Sequence, residues 1–187
     1  MAAVIGNATA LNAVVTSSVA MTAVAASQVA MTAIIGNPTA LNAVVASQVA
    51  MAAVIGNATA LNAVVTSSVA MAAVAASNTA TKAIAASQTA LNAIAGSTTA
   101  LDALYAKKSR MTGAKASKSG KFIILEISSD SAFDTSRYGY ATLSDGSQPN
   151  WQDYKSKYAY FKQFKKIATY IKNDTEGDDW IDYFPCG

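Results

Sequence analysis

The first hundred residues are written in a ten-residue register, and that register decides what the chain can fold into. Cut from residue 1, it reads MAAVIGNATA, LNAVVTSSVA, MTAVAASQVA, MTAIIGNPTA, LNAVVASQVA and five more blocks to Ala100, then a degenerate eleventh, LDALYAKKSR. Residues 1–20 recur letter for letter at 51–70, so five blocks also form a unit of fifty. A unit of ten residues cannot enclose a core, so such a chain orders itself only by stacking one unit on the next, and association of several chains would add to the buried surface.

The columns of the repeat carry physical content. Column three is Ala in all eleven blocks and column ten is Ala in the first ten, which predicts close approach of other atoms at both. Column one is Met or Leu except at Thr81, and column four is Val, Ile or finally Leu104; these are the expected buried anchors. Column seven is Asn or Ser in all ten full blocks and marks the break in each unit. Column nine is always Thr or Val, which share a shape but not a hydroxyl, and is expected to be half-buried.

An uninterrupted coiled coil does not fit, because ten residues over three turns is about 3.3 per turn, further from 3.6 than the heptad's 3.5. A broken helix fits better. Asn or Ser in column seven is a preferred N-cap, and Pro38 follows Asn37 at the first helical position, where proline is tolerated. Each unit then becomes a helix of about two turns that cannot persist alone in water. The rival is a strand-and-turn unit, stacked as a β-solenoid or triple β-spiral, favoured by Val, Ile and Thr and disfavoured by so much Ala.

Composition separates this segment from the rest. No Asp, Glu, Lys or Arg occurs before Lys82, and no aromatic residue before Tyr105. The chain contains no His and one Cys, Cys186, which excludes an intrachain disulfide, a Cys/His zinc site and Ser-His-Asp or Cys-His catalysis within one chain. No basic residue accompanies Ala2-Ala3-Val4-Ile5, so no secretory leader is expected. Every window long enough to span a membrane carries Asn, Ser, Thr or Gln at intervals, so no membrane span is expected.

Three segments follow: a repeat shaft over 1–106, a basic neck over 107–121 and a C-terminal tip over 122–187. The neck, KKSRMTGAKASKSGK, holds six basic residues and no acidic or aromatic ones; it reads as a solvated, flexible connector rather than a nucleic-acid-binding element. In the tip, 121–127 and 138–143 read as strands, and apolar letters at Tyr154, Tyr158, Phe161, Phe164, Ile167 and Ile171 predict an amphipathic helix across 152–173. Residues 180–185 read as a closing strand. The result is a small α+β domain, near the size below which a single core barely suffices.

No residue pattern in the tip identifies a catalytic centre, a metal site or a cofactor. The acidic run Asp174, Glu176, Asp178 and Asp179 around Gly177 does not match the spacing of an EF-hand. Glu126, Asp130, Asp134 and Asp145 are carboxylates of the kind glycoside hydrolysis uses in pairs, but their separation is not written in the sequence. Aromatics offer a recognition surface instead, because Tyr and Trp give contact area at low entropic cost. The expected receptor-binding residues are Tyr138, Tyr140, Asp145, Trp151 and Tyr154, with Trp151 placed in an exposed loop.

The tandem decapeptides, as in Ser87-Gln88-Thr89-Ala90-Leu91-Asn92-Ala93-Ile94-Ala95, resemble those of bacteriophage and prophage tail-fibre proteins. The terminal block Leu101-Asp102-Ala103-Leu104-Tyr105 and the ending Phe184-Pro185-Cys186 are also similar to those proteins. The resemblance implies a homotrimeric fibre on the virion, joined to other tail or head proteins, whose distal end contacts a polysaccharide or protein of the host surface. It implies no catalytic motif. Two other readings stay open: a bacterial surface adhesin or ice-binding repeat protein displaying column nine, and a polysaccharide depolymerase tip.

Overall fold

The computed structural model describes residues 2–136, 138–152, 155–174 and 179–187. It divides into two compact units, Met1–Ala103 and Leu104–Gly187.

In the first unit every block yields one short helix: α1 (Ala2–Ile5), α2 (Ala8–Thr16), α3 (Ser18–Ala25), α4 (Gln28–Ile35), α5 (Pro38–Ala46), α6 (Gln48–Ile55), α7 (Ala58–Val65), α8 (Ser68–Ala76), α9 (Asn78–Ala85), α10 (Gln88–Ala95) and α11 (Thr98–Tyr105). Column seven makes the breaks. The Asn7, Ser17, Ser27 and Asn37 side chains accept from the N–H groups of Ala10, Ala20, Ala30 and Ala40 at 3.0–3.3 Å, and the later blocks repeat this cap. The same residue closes the helix before it: Ser17 N–H donates to the Val14 carbonyl at 3.1 Å. With its backbone extended (Ser17 φ −95°, Asn37 φ −121°), one residue ends one helix and starts the next. Helical units, not strands, therefore build the repeat.

Successive helices meet at bends of 94°, 105° and 103° at three of these breaks. The chain thus coils back on itself after three helices, so that α6 stacks on α3, α7 on α4, α8 on α5 and α9 on α6. The product is a three-sided helical solenoid with thirty residues to a coil. Columns one, four and ten fill its interior: Met31, Met51, Leu91, Val54, Ile94, Ala40, Ala60 and Ala70 are all buried. A single chain therefore encloses its own anchors by stacking one coil on the next. Column ten must be Ala because the preceding coil lies against it. Column three, equally invariant, is half-buried or exposed, so close packing does not account for it. Column nine is mostly exposed rather than half-buried, from Thr39 to Val19 and Val29.

The second unit is an antiparallel sheet of five strands, β1 (Ser109–Thr112), β2 (Ser117–Ser128), β3 (Tyr140–Leu143), β4 (Ala168–Lys172) and β5 (Trp180–Pro185), in the order β1-β5-β2-β4-β3. One face carries Met111, Phe122, Ile124, Ala141, Leu143, Ile171, Ile181 and Tyr183, covered by Phe133, Trp151, Tyr160 and Phe164. The expected neck is part of this sheet: β1 and the start of β2 come from it, because Met111 pairs opposite Ile181 on the buried face while Arg110 and Thr112 point away. Its Gly113 (φ 98°) and Lys115 (φ 59°) make the turn between them.

The helix expected across 152–173 is also corrected. Lys155 and Tyr158 donate their N–H groups to the β2 carbonyls of Ile127 and Leu125, and the helix α12 occupies only Ala159–Phe164. Lys165, in the left-handed region at φ 53°, stops it, and the apolar spacing continues as the strand β4.

Candidate recognition surface

Strand β3 lies at the edge of the sheet and pairs with β4, setting Tyr140 opposite Lys172 and Thr142 opposite Tyr170. Alternation turns Ala141, Leu143 and Ile171 into the core and leaves Tyr140, Thr142, Tyr170 and Lys172 together on the other face. The Tyr140 and Tyr170 rings sit 5.6 Å apart at 38°, and the Lys172 ammonium lies 5.6 Å from the Tyr140 ring centre. All three residues are half-buried. Gln148 donates from Nε2 to Thr142 Oγ1 at 2.9 Å, closing one side of the group. Partial burial, together with the neighbouring Tyr170, raises the Tyr140 pKa, so its hydroxyl stays neutral and able both to donate and to accept. Gly139 sets the approach to this strand: a Cβ there would lie 2.9 Å from the Lys172 carbonyl and 2.9 Å from the Phe133 ring.

The expected recognition residues are distributed unevenly. Tyr140 belongs to this platform, and Tyr138 is half-buried just ahead of β3. Asp145 is exposed in the turn after β3, where it accepts from the Ser147 N–H and hydroxyl and pairs with the Lys166 ammonium. Those hydrogen bonds, the one from Lys166 foremost, hold its carboxyl well below the usual range. Trp151, expected on an exposed loop, is buried: its backbone exchanges two hydrogen bonds with Phe133 (2.8 and 2.9 Å), and its ring meets Tyr160 and Phe164 edge-on. The polar letters around it misled because the burial comes from a bridge between distant loops. Tyr154 lies outside the described residues. Tyr170, Thr142 and Lys172 were missed, since residues 170 and 172 were assigned to a helix.

A second cluster surrounds Asp182, whose side chain is fully buried. Arg110 contacts both carboxylate oxygens, at 2.7 and 2.9 Å, and Lys108 pairs with one of them. Burial pushes this carboxyl up, but the hydrogen bonds and charges of Arg110 and Lys108 together outweigh it, and the pKa falls. The guanidinium of Arg110 also lies 3.7 Å over the Trp180 ring. Nearby, Tyr105 donates to Glu126 Oε2 at 2.7 Å and carries the ammonium groups of Lys108 and Lys157 over its ring at 3.7 and 4.1 Å. These contacts tie β1, β2 and β5 together and leave Glu126 and Asp182 engaged in structure.

Carboxylate oxygens of Asp130, Asp174 and Asp179 lie within 4.8 Å of one another, and Ser129 donates to Asp174 at 3.0 Å. These are the residues that could hold a cation; of the acidic run read from the sequence, Glu176 and Asp178 lie outside the described residues. Among the described residues no single helix is long and apolar enough to cross a membrane, although three sharply bent pairs in the repeat reach that length and composition together. No protein-family model and no curated protein matches the chain.

Proposed function

We propose that the chain is a structural fibre protein of a phage virion, in which the solenoid serves as a spacer and the sheet unit binds the host cell surface. The observation that carries this reading is the pairing of two unlike units: a helical solenoid with no charged side chain before Lys82, followed by a sheet with two tyrosines and a lysine gathered on one face of the edge strand β3 and its neighbour β4. An uncharged solenoid attracts neither substrate nor nucleic acid at a distance, which suits a spacer. The exposed sides of paired tyrosines suit the C–H faces of a sugar or an apolar side chain, with Lys172 and Thr142 supplying polar contacts. The protein acts in this reading without catalysis or cofactor, outside the cell, bound to other virion proteins.

The assembly is a homotrimer in this reading. Because the anchors are enclosed within each chain, its contacts fall on exposed columns or on the sheet unit. The test is binding of the purified chain to bacterial surface polysaccharides and to whole cells. Wild type is expected to bind at least one host surface, and Tyr140→Ala with Tyr170→Ala to lose that binding while keeping its circular dichroism. Retained binding in the double variant rejects the platform, and cleavage of the polysaccharide would favour a depolymerase.

One observation favours a second reading. Thr9, Thr39, Thr59 and Thr89 are exposed, as an adhesin or ice-binding surface on column nine would need. Thermal hysteresis by the purified chain would support it.

A further inference from the structure

Strand register carries the platform of Tyr140 and Tyr170 onto a third strand. Residues opposite one another on antiparallel strands share a side of the sheet. Ser117, opposite Lys172, and Ser119, opposite Tyr170, therefore stand on the same face as the two tyrosines. The face is a grid of two rows across β3, β4 and β2: Tyr140, Lys172 and Ser117 in one, Thr142, Tyr170 and Ser119 in the other. Both serines are exposed. With neighbouring strands about 4.8 Å apart and alternate residues about 7 Å apart, the grid measures about 10 by 7 Å. That is room for a disaccharide, and it falls far short of the roughly 800 Å² that a protein partner covers.

Charge narrows the ligand further. Lys172 is the one ionisable cation among the six side chains, and it is half-buried. Its ammonium lies 5.6 Å from the Tyr140 ring centre, and among the described residues no carboxylate comes within 4.0 Å of it. Lys108 and Arg110, by contrast, are matched to Asp182, and Lys166 to Asp145. A cation drawn partly out of water without a counter-charge gains by meeting an anion. The tyrosines supply contact area at low entropic cost, and the Ser117, Ser119 and Thr142 hydroxyls can both donate to and accept from sugar hydroxyls. We infer that the grid binds an acidic polysaccharide, the anionic group meeting Lys172 while the sugar ring lies on Tyr140 and Tyr170; this rests on the reading of the sheet unit as the host-binding part. None of the six side chains is a carboxylate, so the grid neither repels a polyanion nor holds the pair of acids that glycoside hydrolysis uses. An ammonium is a point charge without the fork of a guanidinium, so a carboxylate on the sugar and a phosphate between sugars both satisfy it.

The test is titration calorimetry of the whole chain against polygalacturonate, polysialic acid and a teichoic acid, beside dextran and methyl-esterified polygalacturonate. At least one acidic polymer is expected to bind, and the two neutral ones to bind at least about tenfold more weakly. Which acidic polymer binds separates carboxylate from phosphate. Lys172→Gln should weaken the acidic polymer at least about tenfold, Lys172→Arg should restore it, and Lys107→Gln, exposed ahead of the opposite edge strand β1, should change it less than about twofold. The neutral polymers remove the charge from the ligand, so that arm does not depend on how a variant folds. Equal binding of acidic and neutral polymers, binding untouched by Lys172→Gln, or no acidic polymer bound at about 1 mM repeating unit overturns the inference. Bacterial cells still bound by wild type, and lost with Tyr140→Ala and Tyr170→Ala, would then leave the host-binding reading standing. Absence of binding to polysaccharides and cells alike overturns both.

Discussion

The Ser47 hydroxyl donates a hydrogen bond to the carbonyl of Val15, 32 residues earlier, at 2.5 Å. Ser77 does the same to Val45 and Ser97 to Val65, so one side chain both caps its own helix and fastens it to the coil before. Ser77→Ala removes both bonds and should cost about 2 kcal/mol, half from the cap and half from the lost contact between coils. Ser17→Ala, in the first coil, loses its cap alone and should cost about 1 kcal/mol. Urea unfolding followed by far-UV circular dichroism separates the two.

The identical pair Ala10 and Ala60 tests the tightness of column ten. Ala60 is fully buried and Ala10 half-buried. Ala60→Leu should overpack the stack and cost about 1–3 kcal/mol. The same change at residue 10 should cost less than about 0.5 kcal/mol, as surface changes do. Equal losses in thermal denaturation would mean that column ten is not where successive coils touch.

Asp182 makes the sheet unit acid-sensitive. Its carboxyl is held below the value of an unfolded Asp, about 3.9. The stabilisation is therefore complete above that value and declines as pH falls below it toward the folded pKa. Asp182→Ala removes the buried charge from Lys108 and Arg110, and should cost about 3 kcal/mol at pH 7. Because Arg110 stacks on Trp180, tryptophan fluorescence during acid titration should report the wild-type transition and show it displaced in the variant.

Cys186 is a reporter for opening of the same unit. Burial pushes its thiol up to about 12, with partial relief from the Ile123 backbone and Lys121. At pH 8 it should resist a thiol reagent in the native state and react fully in about 6 M guanidinium. Since the folded pKa lies above the unfolded one, this burial stabilises most below about pH 8.5, and the contribution falls as pH rises toward the folded value. Fast labelling without denaturant would show that β5 opens locally.

The helices of the repeat were legible in the sequence because their boundaries are local chemistry. A capping side chain in column seven, and Pro38 after Asn37, need no tertiary contact to be recognised. Closure after three helices was not legible, since it arises from the angle at each break and from which helix then meets which. The decapeptide spells only the helix, and no letter marks the thirtieth residue. In the sheet unit, Tyr158 to Ile171 kept helical spacing although Lys165 turns the chain and β4 follows. A non-glycine in the left-handed region leaves no mark. Of the platform, Tyr140 was found and Tyr170 missed for the same reason: the partner across β3 and β4 is fixed by strand register. The segment 109–119 reads as a connector because, among its small and basic residues, Met111 alone is a large apolar side chain that turns into the core, joined there by the small Ala116.

Three helices to a coil and five blocks to a duplicated unit have no common factor. Each added unit of fifty residues therefore advances the solenoid by one full coil and two-thirds of another. A lengthening event of this kind lands the same letters on a different side of the prism, and three such events are needed before they return to the first. Gain or loss of a unit is thus an azimuthal change as well as an axial one: any surface feature written in the repeat, such as Val19 and its copy Val69, winds around the rod instead of forming a stripe.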